Sequence, residues 1–273
     1  PAPPRRSARS GRALLPQAAG LQVHGVLWLR AELRDLRRSR LVRRTAPLGK
    51  AVRCYLGTHQ TSWLARLNAA NVPLFVSHRR LVGRVSRHER ATQSWALDSG
   101  GFSELSLFGR WTISPEEYVA SVRRYQSEIG MMDWAAIQDW MCEPFILDKT
   151  GLTVAEHQRR SVQSYLDLCD LAPEIPWVPV LQGWAPNDYL RHRAMYADAG
   201  VDLAALSTVG LGSVCRRQHT DEVGPIIQHF FDAGVKLHGF GFKVKGLEKY
   251  GHLFKSADSM AWSFQARRSP PHS

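Results

Sequence analysis

The chain has 273 residues, 44% hydrophobic and 22% charged, with nine Trp, ten Phe and seven Tyr. That composition excludes a small peptide scaffold, a disordered chain and a fibre, because it supports a sizeable buried core. No apolar run reaches the roughly 20 residues a membrane helix needs, and the four cysteines, at 54, 142, 169 and 215, are too scattered for a disulfide framework, so a reduced, cytoplasmic setting is expected.

The formal net charge is +12, and residues 1–50 hold twelve of the 36 Lys and Arg against only Glu32 and Asp35. Most of the basicity therefore belongs to this segment. Its opening PAPPRRSARSGRALLPQAAG predicts a flexible basic extension, in which LWLRAELRDLRRSRLVRR has the period of an amphipathic helix. From residue 51 the texture changes to short apolar runs, each followed by turn residues and a helical period. The runs are Ala51–Leu56, Pro73–Val76, Trp95–Leu97, Trp134–Ile137, Trp177–Leu181, Leu203–Ser207, Val235–Phe240 and Leu253–Ala257. Helical segments are predicted at Ser62–Ala70, Pro115–Ile129, Val154–Leu171, Pro186–Ala199, Asp221–Ala233 and Val244–Tyr250. Ser114-Pro115-Glu116-Glu117 is a helix start, with a cap, an N1 proline and acids at the positive end of the dipole; Gly130, Gly200 and Gly234 are stops. Eight alternating units over residues 51–273 predict an α/β fold, a (β/α)8 barrel.

In such a barrel the chemistry sits where strands end. The exits read Gly57-Thr58-His59-Gln60, Ser77-His78-Arg79-Arg80, Asp98-Ser99-Gly100-Gly101-Phe102, Gln138-Asp139-Trp140, Gln182-Gly183-Trp184, Gly210-Leu211-Gly212-Ser213, His238-Gly239-Phe240-Gly241 and Asp258-Ser259. One strand-end aspartate can simply cap the next helix. Three of them, Asp98, Asp139 and Asp258, suit glycosyl chemistry, in which one carboxylate attacks a sugar carbon and another manages protons at the leaving group. Gly100-Gly101 gives a tight turn or close approach for something flat, with Phe102 placed to stack on it. Arg79, Arg80, Arg84, Arg87 and Arg90 make the densest cationic stretch of the domain, suited either to phosphate or to a solvated loop; Arg216, Arg217 and His219 are a second, sparser one.

In order, Leu97-Asp98-Ser99-Gly100-Gly101-Phe102, Gln182-Gly183, Val209-Gly210-Leu211-Gly212, Leu237-His238-Gly239-Phe240-Gly241 and Ser256-Ala257-Asp258-Ser259 resemble the motifs of the tRNA-guanine transglycosylases. They are most similar to the shorter DpdA-like branch associated with 7-deazaguanines in DNA. The likeness spans about residues 52–265. It implies a barrel that exchanges guanine in a polynucleotide for a 7-deazaguanine base, with Asp258 as nucleophile and Asp98 as acid/base. By the same resemblance Asp139, Gln182 and the Gly210-Leu211 backbone read the base edge, Phe102 and His238 lie on its two faces, and Ser99, Gly100, Gly101, Gly183 and Gly239 are further substrate-binding candidates. Trp140, Trp184 and Phe240 are candidates for excluding water. No cofactor is implied. The zinc pattern of the tRNA enzymes, Cys-x-Cys-x-x-Cys with a later His, has no counterpart after Asp258, which turns the expectation from tRNA towards DNA and leaves no metal site; Cys142 and Cys215 read as packing thiols. Partner proteins of DNA modification are a further expectation. Exchange into tRNA and a catalytically silent base-binding barrel are the alternatives.

Overall fold

The structure, a computed structural model, describes residues 52–66, 72–215, 217 and 222–260. The predicted basic extension, residues 1–50, lies outside them, as do Arg216 and His219. The strands are β1 (Arg53–Thr58), β2 (Leu74–Ser77), β3 (Trp95–Asp98), β4 (Met132–Ala136), β5 in two pieces (Trp177–Val178 and Val180–Leu181), β6 (Val209–Leu211), β7 (Leu237–Gly239) and β8 (Ser256–Ser259). All pairings are parallel. The nine segments form one sheet that begins with the first piece of β5 and ends with the second. The sheet thus closes through Pro179, and nine segments fill the eight positions of a (β/α)8 barrel. Proline has no N–H for a ladder, yet its carbonyl still accepts the Gly210 N–H at 2.8 Å across the seam.

Helices α1 (Trp63–Arg66), α2 (His78–Leu81), α3 (Gly101–Phe108), α4 (Pro115–Glu128), α5 (Pro144–Thr150), α6 (Val154–Leu171), α7 (Pro186–Asp198), α8 (Val223–Asp232) and α9 (Val244–Tyr250) fill the crossovers. Helix α4 starts as its sequence predicts. Ser114 accepts the Glu117 N–H, Glu117 accepts the Ser114 N–H, and Pro115 opens the first turn. Gly130, Gly200 and Gly234 all take positive φ where helices stop. No helix among the described residues is long and apolar enough to cross a membrane.

Residue alternation divides the core in two. Trp95, Leu97, Ala135, Val209, Leu211, Leu237 and Ala257 face outward and join the helices in the larger cluster. Tyr55, Phe75, Ala96, Trp134, Ala136 and Val178 fill the barrel, with Phe240 packed on them. The fill is uneven in size. Gly210 leaves room for Phe240, whose ring would stand 2.4 Å from a Cβ at that position.

The sixth strand departs from its prediction. The apolar run Leu203–Ser207 is a turn, in which the Asp202 carboxylate accepts the Ala204 N–H at 3.0 Å, and Val209–Leu211 is the strand. A three-residue strand with glycine at its inward position has no periodic signature. Helices α2, α3 and α5 were also not predicted: α2 and α3 begin inside strand-exit motifs, α5 follows the β4 exit after a short loop, and all are at most eight residues long.

Candidate active site

A pocket of about 340 Å³ opens at the carboxyl ends of the strands, lined by Phe75, Ser77, Asp98, Gly101, Phe102, Asp139, Gln182, Ser213, Phe240 and Asp258 among others. The two carboxylates on which the sequence reading depended, 98 and 258, therefore share one cavity. They arrive from opposite sides, since β3 and β8 are separated by β2 and β1. The inward phase of each strand brings them there: Asp98 lies in register with Ser77, and Asp258 with Tyr55.

Their surroundings differ. Burial pushes the Asp98 carboxyl above the ordinary carboxylate range and the charge of Asp258 adds to this, while hydrogen bonds from the Ser77 hydroxyl and the Gly100 N–H pull the other way. Gly100 supplies that N–H at φ +87°, a left-handed conformation natural to glycine. Asp258 is 5% exposed, and its Oδ1 accepts the Gly241 N–H at 2.9 Å and faces His238 Nε2 at 3.3 Å. His238 Nδ1 lies 2.9 Å from Ser256 Oγ. With Ser256 donating to Nδ1, the Nε2 proton points at the carboxylate.

Asp139 lies in the loop after β4, which is pinned from α6: Ser161 Oγ accepts the Trp140 N–H at 2.8 Å and His157 Nδ1 lies 2.5 Å from the Met141 carbonyl. Burial pushes the Asp139 carboxyl up to about 7, with the charges of Asp98 and Glu143 adding and a bond from Gln182 opposing. That bond runs from Gln182 Nε2 to Asp139 Oδ2 at 2.5 Å. The Gln182 backbone N–H donates to His192 Nδ1 at 2.8 Å, and its carbonyl accepts Gln158 Nε2 at 2.7 Å. Burial drives His192 down to about 3, so its ring is neutral and able to accept.

Several predicted residues stand elsewhere. His238 is not among the residues that line the pocket. Its ring is fully buried in the barrel, 4.7 Å from Trp134 and 4.9 Å from Phe240, so it supports Asp258 from below. Gly210 and Leu211 lie within β6; the Gly210 N–H is spent on Pro179 and the Leu211 carbonyl accepts from Phe240 at 3.4 Å. Gly212 and Ser213 reach the pocket in their place. Gly183 packs on Asp188 and Tyr189, and Gly239 on Phe242 and Phe254. Ser99 is buried, its Oγ without a partner among the described residues. Phe102 keeps its predicted place at the mouth, 46% exposed, with its ring 6.1 Å from that of Phe145. Of the three water-excluding candidates Phe240 lines the pocket, whereas Trp140 and Trp184 lie beneath Arg160 and Arg217 at 4.6 and 4.3 Å. Cys142 is buried and Cys215 lines the pocket.

The arginines separate in the same way. Arg79 is bound to the buried Glu104, which also accepts from Thr112. Arg80 lies beside the rim, 3.3 Å from His59 Nδ1; Arg84 bonds Ser86 at 3.2 Å and Arg87 is exposed. Arg217 is buried and bound to the Trp184 carbonyl and Glu222. Phe75, Met260 and Glu143 were missed by the sequence reading, and Ser77 was named only as a strand exit. Phe75 and Ser77 carried a signal, being the inward phase of an apolar strand.

A closed parallel barrel with a carboxylate-lined pocket at its strand ends is the architecture of a barrel enzyme. Residues 51–273 match the family model DpdA, described as DeoxyPurine in DNA protein A, and the chain belongs to that family. Membership supports a role in deazapurine modification of DNA. None of the curated proteins matches the chain.

Proposed function

We propose that the chain is a transglycosylase that replaces guanine in DNA with a 7-deazaguanine base of the preQ0 type, through a covalent sugar ester on Asp258. The observation that carries this reading is one pocket holding Asp98 and Asp258 in unlike environments beside the Asp139–Gln182 pair. A target nucleotide leaves its stack at a cost of a few kcal/mol, offset by contacts in the pocket. Its base lies against Phe102 and the neighbouring rings of Phe75 and Phe240, with its amide edge towards Asp139 and Gln182.

The Asp258 carboxylate attacks C1′ as the glycosidic bond breaks with its electron pair going to the base, and Asp98, whose hold on a proton burial strengthens, gives a proton to the departing nitrogen. The incoming deazaguanine surrenders the corresponding proton to Asp98 and attacks C1′ from the vacated side. The ester opens and Asp258 regains its charge. Two inversions give net retention. Water must be kept from the ester, a task suited to the apolar walls. Arg80, Arg84 and Arg87 follow β2 on the same face and suit phosphate contacts.

The test is incubation of the purified protein with guanine-containing DNA, with tRNA and with labelled 7-cyano-7-deazaguanine, followed by nucleoside mass analysis. Label in DNA, with one guanine released per base incorporated, is the expected result. Label in tRNA alone, or guanine released without incorporation, overturns the reading.

A further inference from the structure

Behind the Asp139–Gln182 pair the hydrogen bonds continue. The Gln182 amide lies 2.7 Å from Ser213 Oγ through its other atom, and Ser213 Oγ lies 2.8 Å from Glu143 Oε2 while accepting the Cys142 N–H at 2.9 Å. Asp139, Gln182, Ser213 and Glu143 are 9%, 1%, 4% and 3% exposed, so hydrogens for these contacts come from the four residues themselves. Three contacts in a row need three hydrogens. The amide has NH2 on one side only and the serine hydroxyl has one proton, which makes two. The third is a carboxyl proton, on Glu143 or on Asp139.

Both arrangements satisfy every contact. With the proton on Glu143, Glu143 donates to Ser213, Ser213 to the Gln182 oxygen, and the Gln182 NH2 to an Asp139 carboxylate. With the proton on Asp139, the amide is reversed and the chain runs the other way to a Glu143 carboxylate. Which side of a glutamine amide holds nitrogen is settled by such a network. The four groups are also held in place. Ser213 has φ +54°, outside the usual range for a side-chain-bearing residue. A Cβ at residue 212 would stand 2.2 Å from the Gln182 nitrogen. Glu143 is the N-cap of α5 but makes no capping bond, turning its carboxyl to Ser213 instead.

We propose that Glu143 is a positioning residue for base recognition, sharing one proton with Asp139 through Ser213 and Gln182. This rests on the reading that Asp139 meets the base edge. A guanine-type edge presents N1–H and NH2 donors and calls for an Asp139 carboxylate. The relay lets Asp139 ionise while Glu143 gains a proton, the Ser213 hydroxyl reversing and the Gln182 amide turning over to exchange its oxygen and nitrogen sides, with none released to water. The charged groups facing Asp139 are Asp98 and Glu143; Tyr118, Cys142 and Tyr196 also couple to it, and burial keeps their protons on.

The test is titration calorimetry of free guanine into the full chain at pH 6.5, in two buffers of different ionisation enthalpy, with affinities from pH 6 to 8. The wild type is expected to bind with no net proton release and a flat profile. Ser213→Ala cuts the relay, so Asp139 must shed its proton to solvent. It should release about half a proton or more and lose about tenfold in affinity from pH 8 to pH 6, the fall expected for a group titrating near 7. Glu143→Gln supplies a permanent donor to Ser213 and should bind without proton release, with the flat profile retained. Equal proton release in wild type and Ser213→Ala, or an equal loss at every pH in Ser213→Ala, overturns the relay while leaving base binding intact. Absence of guanine binding by the wild type at any pH overturns the reading beneath it, and the relay with it.

Discussion

Asp133 and Asp139 belong to the same β4 unit and lie towards opposite ends of the barrel. At the lower end, Asp133 accepts from Arg53 Nη2 at 2.8 Å and from the Tyr55 hydroxyl at 2.9 Å, beside a cavity of about 280 Å³ that Lys255 also lines. At the upper end, Asp139 meets an amide and two further carboxylates. The ion pairs among the described residues include neither Asp98 nor Asp139. The lower end neutralises its charges and closes the fold. The upper end crowds like charges into a buried space, raising carboxyl affinities for protons towards the range where they can be exchanged.

The largest effect should come from the upper end. Asp258→Asn is expected to lower exchange by on the order of 10³–10⁴-fold, with the melting temperature within a few degrees of wild type. Mass mapping of a trapped DNA adduct checks the role directly, since an adduct on another residue removes Asp258 as nucleophile. The layer between the ends comes next. Trp134 packs on His238 and donates to the Tyr55 hydroxyl at 3.2 Å, so it touches the supports of both aspartates. Trp134→Ala should cost about 3–5 kcal/mol in urea unfolding, and a cost under about 1 kcal/mol would mean that the barrel interior is not a packed layer.

How much of this was legible in the sequence follows from the same alternation. Asp98 and Asp258 end or nearly end apolar strands; either alone could be a helix cap, but together they pointed to one barrel mouth, and their place there was readable. So were helix α4 and the glycine stops, which depend on local chemistry. His238 points inward but lies a layer below the pocket, because strand ends cannot be read to within one or two residues and an inward residue two positions earlier fills the barrel and not its mouth. Glu143 was invisible: it follows Cys142 in a loop, and only the fold brings it to Ser213. Arg79 read as a phosphate ligand, although its partner Glu104 sits one helix further on.

The arginines sharpen the contrast at smaller scale. Arg79→Ala leaves the buried Glu104 carboxylate with only Thr112, and should cost about 1–3 kcal/mol of stability. Arg80→Ala and Arg87→Ala should leave stability unchanged and each lower the slope of log affinity for DNA against log salt by about 1. Equal slopes in wild type and variants would remove this face from the DNA path.

Asp133→Asn should show the smallest effect. Its amide oxygen can still accept from Tyr55, so what disappears is the charge opposite Arg53, whose side chain is 48% exposed. Pairs of that kind contribute about 0–1 kcal/mol. The deficit should shrink further in 1 M salt, where the screening length falls to about 3 Å, so paired melting curves at low and high salt measure it. Exchange should stay within about twofold of wild type, because Tyr55, Trp134 and His238 stand between Asp133 and the pocket. A loss approaching that of Asp258→Asn would mean that charge at the base of the barrel reaches the reacting carboxylates through that aromatic layer, and the two ends could no longer be treated as separate.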